Sequence, residues 1–303
     1  MPETQQKKLV NLKFNLIIYI FMFYLRRLFF YIKSDPKYIL RYMLYLVRKS
    51  INKKVIYSVK YWFSIVLDLR NEIDSKLYLW SNFEDYLISF YRKFLRTNYV
   101  FLDVGANIGL YTLASSTVIK KWVVVAFEPN QKLVKQLEKS IVINNITNVN
   151  IVQKWVWSKE GTMSFNIAED PAYSSLWRPH NHNVFKINEI ELITLDSFFE
   201  SSKLSKVDFI KIDVEWAELD VIIWADKTIK RYKPTFSIEV SDETYQNFWY
   251  TSKILIEKLQ SLWYGVYNYT TWMLLEEEVQ DYYYYENLIF IHTERKDRFG
   301  LDN

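Results

Sequence analysis

From residue 99 onward, short apolar runs alternate with stretches whose apolar residues recur at helical spacing. VVVAF (123–127) and FIKIDV (209–214) are apolar almost throughout, which suits strands covered on both faces. Residues 131–143 place Leu133, Val134, Leu137 and Ile141 on one helical face. The pattern predicts strands at 99–104, 123–127, 149–153, 209–214, 235–240 and 266–269, with NLIFIHT closing the series. Helices are predicted from Gly109 and over 131–143, 217–231 and 244–262. Upstream, KYWFSIVLDL and KLYLW read as strands joined by RNEIDS, and NFEDYLISFYRKFL reads as a helix capped by Asn82. Repeated strand–helix units imply an α/β fold with a doubly wound, mostly parallel sheet. The last strand follows a hairpin rather than a helix, so it is expected to insert antiparallel.

Residues 1–60 carry 13 Lys+Arg against Glu3 and Asp35, a net +11 inside a chain whose total is +4. The remainder is therefore acidic, which argues against a nucleic-acid partner. This sets off residues 1–55 as a basic, aromatic helical extension ahead of a domain at 56–303. Its longest uncharged apolar run, Leu16–Leu25, is shorter than the roughly 20 residues that span a bilayer. Arg26 and Arg27 end that run, and no small-residue cleavage site follows, so a secretory signal is not expected. Two readings stay open: a helix lying on an anionic membrane surface, or an extension packed on the domain. The first places the protein in the cytoplasm at the inner face of the membrane. Cysteine is absent, which removes disulfides and thiolate metal sites.

The candidate chemistry begins at FLDVGANIGLYTL (101–113), where a buried strand runs into Asp103, a glycine turn and a helix. In doubly wound folds such a turn at a strand's carboxyl end is the usual ligand cradle. Its glycines are four apart and preceded by an acid, which departs from the dinucleotide fingerprint GxGxxG and argues against a nicotinamide oxidoreductase. Asp103 repels a pyrophosphate but accepts hydrogen bonds from an ammonium. Glu128, at the end of the second strand of this unit, is placed to take ribose hydroxyls. A cationic amino-acid head joined to a ribose describes S-adenosylmethionine.

FLDVGANIGLYTL, VVAFEPN, ITLDSF and DFIKIDVEWAELDVI, in this order, resemble the FkbM family of S-adenosylmethionine-dependent methyltransferases over roughly residues 60–292. The resemblance implies a seven-stranded class I (Rossmann-like) methyltransferase sheet. It also implies methyl transfer, usually to a hydroxyl oxygen of a sugar or another polymer precursor. By position, Asp103, Gly105, Asn107 and Gly109 form the cofactor loop, Glu128 holds the ribose and Val156 borders the adenine. Glu84 closes the methionine end. A catalytically degenerate, membrane-associated scaffold with the same fold is the alternative.

Asp213, Glu215 and Glu218 cluster where the 209–214 strand turns into a helix, and close carboxylates raise one another's pKa, which suits a general base. His180 and His182, in a loop between the third and fourth strands of this unit, offer another base or, with Asp213, a metal ligand set. A solvated pair is the plainer reading, no metal is assigned, and His292 is expected to be structural.

The family pattern has glycine where this chain has Trp216. Trp122, Trp157, Trp224 and Trp263 also sit at turns or helix ends, where a left-handed or crowded backbone is expected. The chain holds 5 glycines and 11 tryptophans, whereas glycine normally makes up about 7% of residues. Some bacterial lineages read UGA as glycine, and a table that reads it as tryptophan would produce both anomalies. Genuine glycine-to-tryptophan drift, or an inactive copy, is the alternative.

Overall fold

The computed structural model describes residues 38–51, 54–60, 63–80, 84–168, 184–214, 217–245 and 250–301. Helix α1 (Tyr38–Ile51) and the antiparallel pair β1 (Lys54–Val59) and β2 (Phe63–Asp68) come first. Helices α2 (Glu72–Leu79) and α3 (Asp85–Phe94) follow. The strand–helix series then runs β3 (Phe101–Val104), α4 (Leu110–Val118), β4 (Val124–Phe127), α5 (Gln131–Ile143) and β5 (Val149–Val152). Strands β6 (Trp155–Val156), β7 (Gly161–Ala168) and β8 (Val184–Ile193) form a separate small sheet in the order β6–β8–β7, and α6 (Leu195–Ser201) follows. The series resumes with β9 (Phe209–Ile212), α7 (Glu218–Ile223), α8 (Asp226–Tyr232) and β10 (Thr235–Val240). It ends with α9 (Asp242–Tyr245), α10 (Ser252–Gln260), β11 (Tyr264–Thr270), β12 (Met273–Glu276) and β13 (Glu286–His292).

The main sheet has eight strands in the order β12–β11–β13–β10–β9–β3–β4–β5. Strands β10, β9, β3, β4 and β5 pair in parallel, and β13 inserts antiparallel between β10 and β11. This is the expected class I methyltransferase sheet, with β12 added at one edge by a β11–β12 hairpin.

Strand side chains alternate between the two faces, so each face builds its own core. Leu102, Val104, Val125, Phe127, Ile210 and Ile212 belong to one. Phe101, Val124, Ala126, Phe209, Ile289 and Ile291 belong to the other, with α3, α4 and the N-terminal hairpin. The second face alone carries a buried polar row, because Asp103, Lys211 and Ser237 are register neighbours on adjacent strands. The hairpin is fastened to that side by bonds from the Ser64 amide to Asn144 Oδ1 (2.7 Å) and from the Val66 amide to Ser140 Oγ (3.0 Å).

Several expected elements are corrected. KLYLW is not a strand; it ends α2, whose first turn holds Glu72 and Asp74, where acids favour a helix N-terminus. Its Lys76 pairs with Glu72 at 2.6 Å, one turn apart. The helix expected over 217–231 is two helices, and the interruption expected at Trp224 is where they part, at Trp224 and Ala225. The stretch 244–262 likewise holds two helices, α9 and α10. Asn82 lies outside the described residues, and Glu84 holds the N-cap position of α3 in left-handed backbone.

The tryptophans divide. Trp263, just past α10, is left-handed (φ 69°), as a glycine stop would be. Trp272, which the sequence did not single out, is also left-handed (φ 66°). It follows Thr271 (φ 47°) in the two-residue turn between β11 and β12. Trp224 has an ordinary φ of −96°, and Trp122 and Trp157 are not left-handed. Trp157 donates to Asp220 Oδ2 at 3.1 Å. Trp216 lies outside the described residues.

Candidate active site

Strand β3 ends at Val104 and the chain turns through residues 105–109 into α4. The Gly105 and Ala106 amides donate to the Phe127 carbonyl at 3.1 and 2.9 Å, tying the loop to the end of β4. Gly105 is left-handed (φ 79°), and a Cβ there would stand 1.7 Å from the Asp213 carbonyl oxygen. The loop therefore lies directly against the carboxyl end of β9, at a spacing only glycine permits. Gly109 (φ 86°) begins α4, and a Cβ there would meet Leu137 Cδ1 at 2.2 Å. Asn107 is left-handed as well, a conformation asparagine tolerates better than most residues.

Glu128 secures this loop from the neighbouring strand end. Its Oε2 accepts from the Asn107 amide (2.9 Å) and its Oε1 from the Asn130 amide (2.8 Å). Burial pushes its carboxyl up to about 7, despite those bonds. Each oxygen keeps a second lone pair for a hydroxyl.

Asp103 and Lys211 face each other across β3 and β9. Asp103 Oδ2 accepts from Thr112 Oγ1 (2.5 Å), while its buried Oδ1 has no hydrogen-bond partner and lies 3.9 Å from Lys211 Nζ. Lys211 Nζ donates to Asp213 Oδ2 at 2.8 Å and stands 4.6 Å from the Tyr111 ring centroid. Burial opposes the lysine's charge, but Asp213 and Asp103 outweigh it and raise the ammonium's pKa. The Tyr111 hydroxyl donates to Glu84 Oε2. Burial raises the pKa of both Glu84 and Asp103.

The structure thus brings Glu84, Asp103 and Asp213 to one centre, joined by Lys211 and Tyr111. Gly105, Asn107, Gly109 and Glu128 form the adjoining loop. Glu218 is set apart from solvent: its Oε1 accepts from the Val214 amide (3.0 Å) and its Oε2 faces the Tyr250 hydroxyl (3.4 Å). Burial pushes it up to about 7. Val156 is buried in the core on the opposite face of the sheet from the polar row. Glu215, His180 and His182 lie outside the described residues. His292 is buried in β13, and its Nδ1 accepts from the Glu294 amide at 3.2 Å. Lys211 and Tyr111 were missed from sequence. Their signal was a lysine inside an otherwise apolar strand, two residues before Asp213 and so on the same face.

These residues fit a cationic nucleoside. The unpartnered Asp103 Oδ1 and the Glu84 carboxyl suit an amino-acid ammonium, the glycine loop allows close backbone approach, and Glu128 has lone pairs to spare.

Residues 103–267, more than half of the chain, match the methyltransferase FkbM domain. Methyltransferase 1 of Beauveria bassiana (strain ARSEF 2860) is 24% identical over 139 residues, which are 40% of this chain and 56% of that protein. Among solved structures, Methyltransferase FkbM from Methylobacillus flagellatus KT aligns with a TM-score of 0.41 at 15% identity, covering 72% of this chain and 54% of its own. SMU.1697c from Streptococcus mutans, solved in complex with SAH, aligns at 0.42 and 11% identity, covering 69% and 96%. The chain belongs to the FkbM methyltransferase family and uses S-adenosylmethionine as its cofactor.

Proposed function

We propose that the methyl group goes to a hydroxyl oxygen, and that the acceptor is a sugar or a related polymer precursor. The observation that carries this reading is Asp213. Its side chain is 29% exposed, whereas that of Asp103 is wholly buried, so Asp213 opens the acidic centre toward an incoming acceptor. When bound, S-adenosylmethionine supplies an electrophilic methyl group on a sulfonium.

The chain's own work is then positioning and proton handling, and positioning supplies much of the rate of an in-line transfer. Asp103 and Glu84 hold the amino-acid head, Glu128 the ribose hydroxyls, and Gly105, Asn107 and Gly109 the backbone cradle, with Val156 toward the adenine. Asp213 accepts the hydrogen bond of the acceptor hydroxyl and takes its proton. Lys211 holds Asp213 in place. Glu218 fixes the Val214 amide and, through it, the backbone that Gly105 packs against. Glu215 and His180 are proposed as further groups on the acceptor side. The catalytic domain is assigned to 56–303 and the extension to 1–55. Intact loop glycines and buried carboxylates favour catalysis over a degenerate scaffold.

The test is methyl transfer to a panel of free and lipid-linked sugars, with the methyl ether located by NMR. Asp213→Asn is expected to lower turnover roughly a hundredfold or more while cofactor affinity stays within a few-fold. Glu128→Ala is expected to lose cofactor binding itself. Cofactor binding without transfer to any hydroxyl acceptor would overturn the assignment.

A further inference from the structure

Helix α1 (Tyr38–Ile51) rests on the domain through Tyr45, with Arg41 half-buried beside it and the rest of the helix exposed. Tyr45 is its buried anchor: the ring lies 6.3 Å from that of Tyr78 in α2, and the hydroxyl accepts from Lys49 Nζ (2.8 Å) and Ser75 Oγ (3.3 Å). The Arg48 guanidinium stands 5.8 Å from the Tyr78 ring centroid. At 3.6 residues per turn, Arg41, Arg48 and Lys49 flank Tyr45 on this side. Ile39, Leu40, Met43, Leu46, Val47 and Ile51 fall on the opposite arc, and all six are exposed, Leu40 by 61% and Met43 by 60%. An ordinary surface helix turns its apolar stripe toward the core. This one is turned the other way.

We infer that the exposed arc of α1 seats in the surface of an anionic lipid bilayer. The occupant follows from charge: the 14 residues of α1 include Arg41, Arg48 and Lys49 and no acid, and residues 1–60 hold 13 basic residues against two acidic. An exposed apolar arc on a helix that carries only positive charge is the pattern of a helix lying in the headgroup region. The aliphatic side chains reach the acyl boundary, and the exposed Arg48 and Lys49, though on the domain side, add to the positive field that draws the helix to anionic lipid. The described residues of α1 number 14, and among the described residues no helix is long and apolar enough to cross a membrane. The helix therefore lies along the surface and holds the domain there, which suits an enzyme whose acceptor is presented at a membrane.

The test is co-sedimentation of the full chain with vesicles of phosphatidylcholine alone or with phosphatidylserine added. Capture is expected only with the anionic lipid and should fall several-fold as salt rises from about 0.05 to 0.5 M. The triple variant Leu40→Ser, Met43→Ser, Val47→Ser should bind roughly tenfold less while keeping its thermal midpoint and cofactor affinity, because these side chains are exposed and remote from the loop at 105–109. Equal capture of the variant overturns the proposal. So does no capture at low salt. So does a chain that is dimeric as wild type, monomeric as the variant and indifferent to vesicles, since a second copy then covers the arc.

Discussion

The glycine loop at 105–109 and the hairpin turn at 271–272 both run through left-handed backbone, with φ of 79° at Gly105 and 66° at Trp272. At Gly105 there is no room for even one carbon, because the neighbouring atom is a backbone oxygen of β9's end. At Trp272 the side chain is 61% exposed and meets only the conformational cost, about 1–2 kcal/mol for a residue with a Cβ. Left-handed backbone alone thus does not enforce glycine; left-handed backbone pressed against other main chain does. The sites where tryptophan stands at positive φ are those where space is free, such as Trp263 at 72% exposure.

The sharpest way to break this contrast is Gly105→Ala. It combines the left-handed cost with a backbone clash that cannot relax sideways, and about 4 kcal/mol or more of stability should be lost, together with cofactor binding. Denaturant unfolding and calorimetric titration read both. A well-folded, cofactor-binding variant would mean that the loop does not sit hard against β9.

Glu218→Gln probes the other side of the same contact. Its carboxyl is raised from 4.5 to about 7 in the folded chain, so the folded state holds this proton more tightly than the unfolded state does. That contribution is full below about pH 4.5 and is lost as pH rises through about 7, up to about 3 kcal/mol. The glutamine keeps the bond to the Val214 amide and cannot titrate. The variant should therefore lose less stability than wild type between pH 5 and 8, and parallel pH profiles would refute the assignment.

Gly109→Ala should cost less than Gly105→Ala, about 2 kcal/mol, because its Cβ meets the far end of Leu137, a side chain that can give way. The smallest effects carry the opposite sign. Trp263→Gly and Trp272→Gly are each expected to stabilise by about 1 kcal/mol, since one is a helix stop and the other a two-residue hairpin turn that favours glycine. If these residues arise from UGA read through the wrong table, the gene carries UGA at both codons and the native peptides carry glycine. UGG at both removes that explanation and leaves drift.

The parallel strands and the glycine loop between β3 and α4 were legible because their signals are local: FLDVG and AFEPN each carry strand, turn and acid in one short run. KLYLW was misread because a short apolar run fits strand or helix equally, and only the packing of Leu77 and Tyr78 decides. Lys211 was missed because its meaning lies in register, opposite Asp103 on a strand more than a hundred residues away in sequence. Glu218 had the right chemistry in the sequence, but its burial against Tyr250 depends on a distant segment. The Trp272 turn escaped notice because TTW carries none of the usual hairpin residues.

Strand β13 bears on the order in which the molecule can assemble. Among the described residues it is the last strand of this sheet in sequence, yet it lies inside the sheet and is the piece through which β11 and β12 reach β10. During synthesis the glycine loop at 105–109, Lys211 and Asp213 all emerge before it. They must wait with the flank of β10 unpaired, a row of open amides and carbonyls able to recruit the wrong strand. The closing strand is accordingly apolar almost throughout, with Leu288, Ile289, Phe290 and Ile291 all fully buried, four side chains that reward the correct insertion on both faces at once.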